Sequence, residues 1–76
     1  EGTILVTINE DRPGMIGIIG TCLGDNQVNI DQFELSRTSR GGEAMAMIRV
    51  DDGVSERVLE DLCTCPGITS VRKVVL

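Results

Sequence analysis

The sequence predicts an α+β fold, a ferredoxin-like βαββαβ sandwich with two helices on one face of a four-stranded antiparallel sheet. Three observations predict it. Stretches rich in β-branched residues or alternating in polarity fall at 3–9, 28–39, 43–51 and 68–75. Two segments with apolar residues at three-and-four spacing, 15–25 and 54–64, lie between them. The two halves also repeat one pattern, in which a strand, an acidic turn, a helix and a strand follow one another.

Each element has its own signal. Residues 3–9, Thr-Ile-Leu-Val-Thr-Ile-Asn, read as the first strand, closed by Glu10-Asp11-Arg12-Pro13-Gly14. Pro13 has no N–H to lose and a fixed φ, which suits the entry to a helix. Ile16, Ile19 and Cys22 or Leu23 then give one apolar face. Gly17, Gly20 and Gly24 each cost that helix about 1 kcal/mol, but as small residues at three-and-four spacing they permit close packing. Asn26-Gln27 ends the helix, and Arg40-Gly41-Gly42 is a hairpin signal between the second and third strands. In the third strand Ala44, Ala46 and Ile48 alternate with Met45, Met47 and Arg49, so one face packs on the helices and the other is half wet. Asp51-Asp52-Gly53 turns into the second helix, where Val54, Val58 and Leu62 follow at four-residue spacing, and Pro66-Gly67 stops it. Right-handed crossovers place both helices on one side, with the first and third strands central and the second and fourth at the edges.

Composition narrows the function. The chain has 76 residues, one small domain, with no room for a separate catalytic unit. It contains no His, hence no imidazole base or metal ligand. Phe33 is the only aromatic and the net charge is −5, which argues against nucleic acid as a partner. No apolar run approaches the ~20 residues of a membrane span. Three cysteines are an odd number, and Cys63 and Cys65 are too close in sequence for a relaxed disulfide. A reduced, cytoplasmic protein is the expectation. The first residue, Glu1, suggests a domain excised from a longer enzyme. No catalytic set, metal site or cofactor is expected within it. An open apolar sheet face or a long edge strand predicts a homodimer.

The loop from Asn9 to Gly14 carries the most chemistry. Free amides at the start of the first helix, around Gly14 and Met15, can receive a carboxylate. Asp11 can accept from an ammonium group, and Asn9 can donate or accept. A zwitterionic amino acid satisfies both ends. The plain alternative is that Asp11 caps the helix and Pro13-Gly14 is an ordinary turn. Asn29, between Val28 and Ile30, is either a turn residue or a group presented to the loop of a second chain across a two-fold axis. Cys63-Thr64-Cys65 is weak as a metal or redox motif, because Cys22 is the one other thiol. Cys22 is expected to pack beside Ile19 and Leu23, Met45 and Met47 to fill core or interface, and Arg37 and Arg40 to be solvated.

Asn9-Glu-Asp-Arg-Pro-Gly14 after a strand, then Val28-Asn29-Ile30, resembles the ACT domain family. Gly42-Glu-Ala-Met-Ala-Met-Ile-Arg-Val-Asp51 and Pro66-Gly67-Ile68 extend the resemblance over almost the whole chain. The chain resembles the C-terminal regulatory ACT domains of D-3-phosphoglycerate dehydrogenases, and those of L-serine dehydratases look similar. The resemblance implies L-serine or another small amino acid as ligand, bound between two ACT domains paired into one eight-stranded sheet. It implies feedback control of an NAD-dependent enzyme. By position, Asn9, Asp11, Gly14 and Met15 would meet the ligand from one chain and Asn29 from the other. Serine-inhibited members carry His in place of Asn9 and Asn in place of Asp11. A ligand-free dimerisation module is the competing reading.

Overall fold

The computed structural model describes residues 2–37, 42–51 and 54–76. Its elements run β1 (Thr3–Glu10), α1 (Met15–Asp25), β2 (Ile30–Arg37), β3 (Glu43–Val50), α2 (Glu56–Cys63) and β4 (Ile68–Val75). The strands form one antiparallel sheet in the order β2-β3-β1-β4, so β1 and β3 are central and β2 and β4 are edges, as the crossover argument requires. The signals at Arg40-Gly41 and Asp52-Gly53 lie outside the described residues.

The pleat of β1 separates two environments. Thr3, Leu5, Thr7 and Asn9 are buried on one face, while Ile4, Val6 and Ile8 are half-buried on the other. On β3 the buried set is Ala44, Ala46, Ile48 and Val50. Register places Leu5 opposite Ile48 and Thr7 opposite Ala46, so the helix-facing rows are continuous across the sheet. Ile19 and Leu23 of α1, Val58 and Leu62 of α2, and Val54 pack on these rows to form the core.

Both helices differ from expectation in detail. The buried stripe of α1 is Met15, Ile19 and Leu23, at four-residue spacing. Ile16, expected on the core face, is 54% exposed, because it sits about 100° around the helix from Met15. The would-be Cβ of Gly17, Gly20 or Gly24 meets no atom within 4 Å, so their small size is not used for packing within the chain. Helix α2 is shorter than 54–64. Val54 precedes it yet is still buried, and Ser55, in extended backbone, is the N-cap. Likewise β2 covers Ile30–Arg37 within the expected 28–39.

Two irregularities bear on the site. Ile8 pairs with Ser70 but Asn9 with Ile68, so Thr69 is an extra residue in β4 beside Asn9. Such bulges loosen a ladder and re-aim side chains. Gly67, just before β4, has φ +89 and receives the Glu10 amide on its carbonyl at 2.9 Å.

Candidate functional site

Asn9 is the penultimate residue of β1, not a loop residue, and lies on the helix-facing side at 1% exposure. Its amide donates to the Glu10 carbonyl at 2.8 Å, while its Oδ1 is buried without a partner. An unmet buried carbonyl costs about 1–3 kcal/mol, so the residue is placed there at the expense of stability.

Asp11 follows in the β1–α1 loop. Its backbone amide donates to Gly42 O at 2.9 Å, tying the loop to the start of β3. Its side chain is 7% exposed. Arg37 Nε donates to Oδ1 at 3.2 Å and lies 3.1 Å from Oδ2. The second distance is an ion-pair contact, but Oδ2 has no donor in hydrogen-bonding alignment. Arg37 is largely in solvent, as expected, with its side chain 64% exposed, and it also lines the site through this pair. The signal for it is absent from local sequence, because 26 positions separate it from Asp11.

Asp11 does not cap α1. The N-cap is Gly14, with φ 90, no side-chain bond reaches the first turn, and that turn holds no acidic residue. Pro13 lies two residues ahead of Met15 rather than inside the helix. Ile18 N finds Gly14 O at 3.0 Å. The amides of Met15, Ile16 and Gly17 precede it and have no carbonyl within the helix to donate to. Their N–H groups and the helix dipole favour a bound anion.

These groups share one cavity of about 330 Å³, walled by Asn9, Asp11, Gly14, Met15, Leu35 and Arg37. Asn9 and Asp11 form its strand side, and the first residues of α1 its helix side. Arg12 is held at the rim by Glu10, Nε to Oε1 at 2.7 Å.

Asn29 is elsewhere. Ile30 pairs with Val50, which pairs with Thr3, so Asn29 sits at the opposite end of the sheet from Asn9. Six residues of β1 separate the two ends, about 20 Å of strand. Asn29 Nδ2 donates to Asp51 Oδ2 at 2.6 Å, and Asn29 O receives the Asp51 amide. One chain therefore brings Asn9, Asp11, Gly14 and Met15 together and leaves Asn29 apart.

A larger groove, about 630 Å³, runs between α1 and the end of α2 past Thr21, Cys22, Asp61 and Cys65. Cys63 is exposed, whereas Cys65 turns inward and donates to Asp61 O at 3.3 Å. Burial, then Cys65, then the charges of Asp61 and Asp25 push the Cys22 thiol from 9.0 up to about 11. Among the described residues, no cluster of three or more His, Cys, Asp or Glu side chains is arranged to hold a metal ion. No described helix is long and apolar enough to cross a membrane.

The family model for the ACT domain matches residues 3–67. The chain belongs to the ACT domain family. This ACT domain is 33% identical to D-3-phosphoglycerate dehydrogenase of Bacillus subtilis over 75 residues, 99% of the chain and 14% of that protein. It is 35% identical to the enzyme of the same name from Methanocaldococcus jannaschii over 71 residues, 93% of the chain and 14% of that protein. The chain thus spans about 14% of the length of these relatives. Among solved structures, the ACT domain from GTP pyrophosphokinase of Chlorobium tepidum superposes with a TM-score of 0.74 at 16% identity, covering 95% of each chain. The regulatory subunit of aspartate kinase from Thermus thermophilus gives a TM-score of 0.75 at 14% identity, covering 99% of this ACT domain and 51% of that chain. These two likenesses concern the fold.

Proposed function

We propose that this ACT domain is a sensor for a small amino acid, L-serine first among them, and exerts feedback control on a D-3-phosphoglycerate dehydrogenase of the cytoplasm. One observation carries the reading. Asn9 and Asp11, each with a buried acceptor that has no hydrogen-bond donor, line a cavity together with the uncapped N-terminus of α1. An α-ammonium supplies donors to the first pair, and an α-carboxylate accepts from the amides of Met15, Ile16 and Gly17. No other common metabolite class presents both charges on one carbon. The kinship with D-3-phosphoglycerate dehydrogenases supports serine as the ligand.

The site is completed by a second copy of the chain. Strand β2 is an eight-residue edge, flanked on the helix side by exposed Ile16 and Leu35. Antiparallel pairing of β2 with its counterpart brings the start of one strand to the end of the other. Asn29 of the partner subunit then approaches Arg37, and with it the Asp11 loop. The ligand bridges two chains and stabilises the arrangement it fits better, which is how binding here would reach a catalytic domain elsewhere.

Calorimetric titration of the chain with L-serine, glycine and L-alanine, at a dimer fraction fixed by sedimentation, tests this. Saturable binding near one ligand per chain, selective for L-serine, is expected. A confirmed dimer with no heat and no thermal shift would instead establish a ligand-free dimerisation module, the reading that the exposed Ile16 and Leu35 favour by themselves.

A further inference from the structure

Asp11 has an internal cation before any ligand arrives. Its carboxylate is almost wholly covered, and Arg37 supplies the neutralising charge. The fit is incomplete. Arg37 Nε is aligned with Oδ1, while Oδ2 has charge nearby but no aligned donor. The guanidinium is held loosely for its part. Its side chain is 64% exposed, at the last residue of β2, and it enters the cavity from the solvent side. Asn9 Oδ1, in the same cavity, is out of its service and remains unpaired.

An α-ammonium is a better cation for this place. It is compact, carries three donors, and can satisfy Asp11 Oδ2 and Asn9 Oδ1 together. Arg37 Nε lies 3.1 Å from that same Oδ2, so an ammonium bonded there sets two cations in contact range of one another, and the guanidinium must yield. We propose that Arg37 is an affinity-setting competitor, a tethered stand-in for the ligand's ammonium that must be displaced from Asp11 before an amino acid can bind. The inference rests on the amino-acid-binding reading and adds the residue that tunes it. Ligands without an ammonium group, such as 2-hydroxy acids, neither displace Arg37 nor supply a cation to the covered Asp11 carboxylate, and are excluded.

Titration of the wild-type chain, Arg37→Gln and Arg37→Lys with L-serine, glycine and L-lactate tests the proposal. Removing the competitor is expected to tighten amino-acid binding about two- to fivefold, the range of a partly exposed ion pair. Arg37→Lys keeps the charge and stays near wild type, and L-lactate binds none of the three. Wild-type binding that is unchanged or weaker in Arg37→Gln overturns the competitor, and weaker binding would make Arg37 a ligand contact. Absence of amino-acid binding in all three chains overturns the sensor reading itself. A ligand-free arm separates the two failures. Thermal unfolding of Arg37→Gln, Asp11→Asn and the double variant should show coupling between the two positions, and strict additivity would mean that the pair does not form in solution.

Discussion

Asp11 and Asn9 illustrate how a residue can be recognisable in sequence while its role is not. Both stand out as polar groups beside a helix start, but a helix cap would explain Asp11 equally well. Structure removes the cap, because no side chain bonds to the α1 N-terminus, and it leaves Asn9 Oδ1 and Asp11 Oδ2 without hydrogen-bond partners. Asp11→Ala should therefore abolish the calorimetric response to L-serine and, by removing one partner of the ion pair with Arg37, lower the unfolding free energy in urea by about 0.2–1 kcal/mol. Arg37 was illegible for a different reason. Its partner lies 26 residues away, and only the β2–β3 pairing brings it over the loop. Cys22 adds a pH signature. Its thiol is favoured in the protonated form by burial beside Cys65, Asp61 and Asp25, which raises it from 9.0 to about 11. Below pH 9 both folded and unfolded chains hold the proton, and this group leaves stability unchanged. From pH 9 to about 11 the unfolded chain ionises first, so stability falls over that window. Urea titrations of wild type and Cys22→Ala across it should show a shallower decline in the variant. In alkylation at pH 8, exposed Cys63 should react before Cys22.

At the scale of elements, periodicity located both helices and all four strands, since alternation on β3 and four-residue spacing on α1 and α2 are properties of the chain itself. Phase was harder. Ile16 belongs to a three-and-four pattern as well as Met15 does, and only the position of the sheet decides that Met15 turns inward. Glycines show the same division. Gly67 stops α2 by its sequence context, but its positive φ and its crowding appear only in three dimensions. A Cβ there would fall 2.7 Å from Met15 Sδ and 2.9 Å from Arg12 Nη2. Gly67→Ala should destabilise the chain by about 1–3 kcal/mol in denaturant unfolding, from backbone strain with further loss where those side chains are displaced. Gly20 is the opposite case. It has ordinary helical backbone and open space, so Gly20→Ala should stabilise the chain by about 1 kcal/mol at concentrations where it is monomeric.

Over the whole molecule, the βαββαβ order follows from six local signals and one handedness rule, which is why the architecture was readable. Assembly is not a property of one chain in the same sense. Alternation on β1 and β3 announces a second, half-apolar sheet face, and β2 announces an open edge, but sequence does not rank them. The site favours the edge, because Leu35, at 39% exposure, lies on the helix side of β2 next to the same cavity as Asp11. Leu35→Asp should yield monomers in sedimentation velocity with unchanged circular dichroism, and should weaken L-serine binding in parallel. The equivalent charge on the open face, Met47→Asp, should leave the edge dimer intact.

The loop that carries Asp11 is fastened by two segments that follow it in the chain. Its Glu10 amide is bonded to Gly67 O and its Asp11 amide to Gly42 O, both at 2.9 Å. A ribosome therefore makes the candidate-site residues before the segments that fasten them. A nascent or truncated chain that ends before Gly67 contains Asn9, Asp11 and the whole of α1, yet lacks one of the two backbone bonds that hold them in position. On the proposed reading, sensitivity to an amino acid would begin only once β4 is in place.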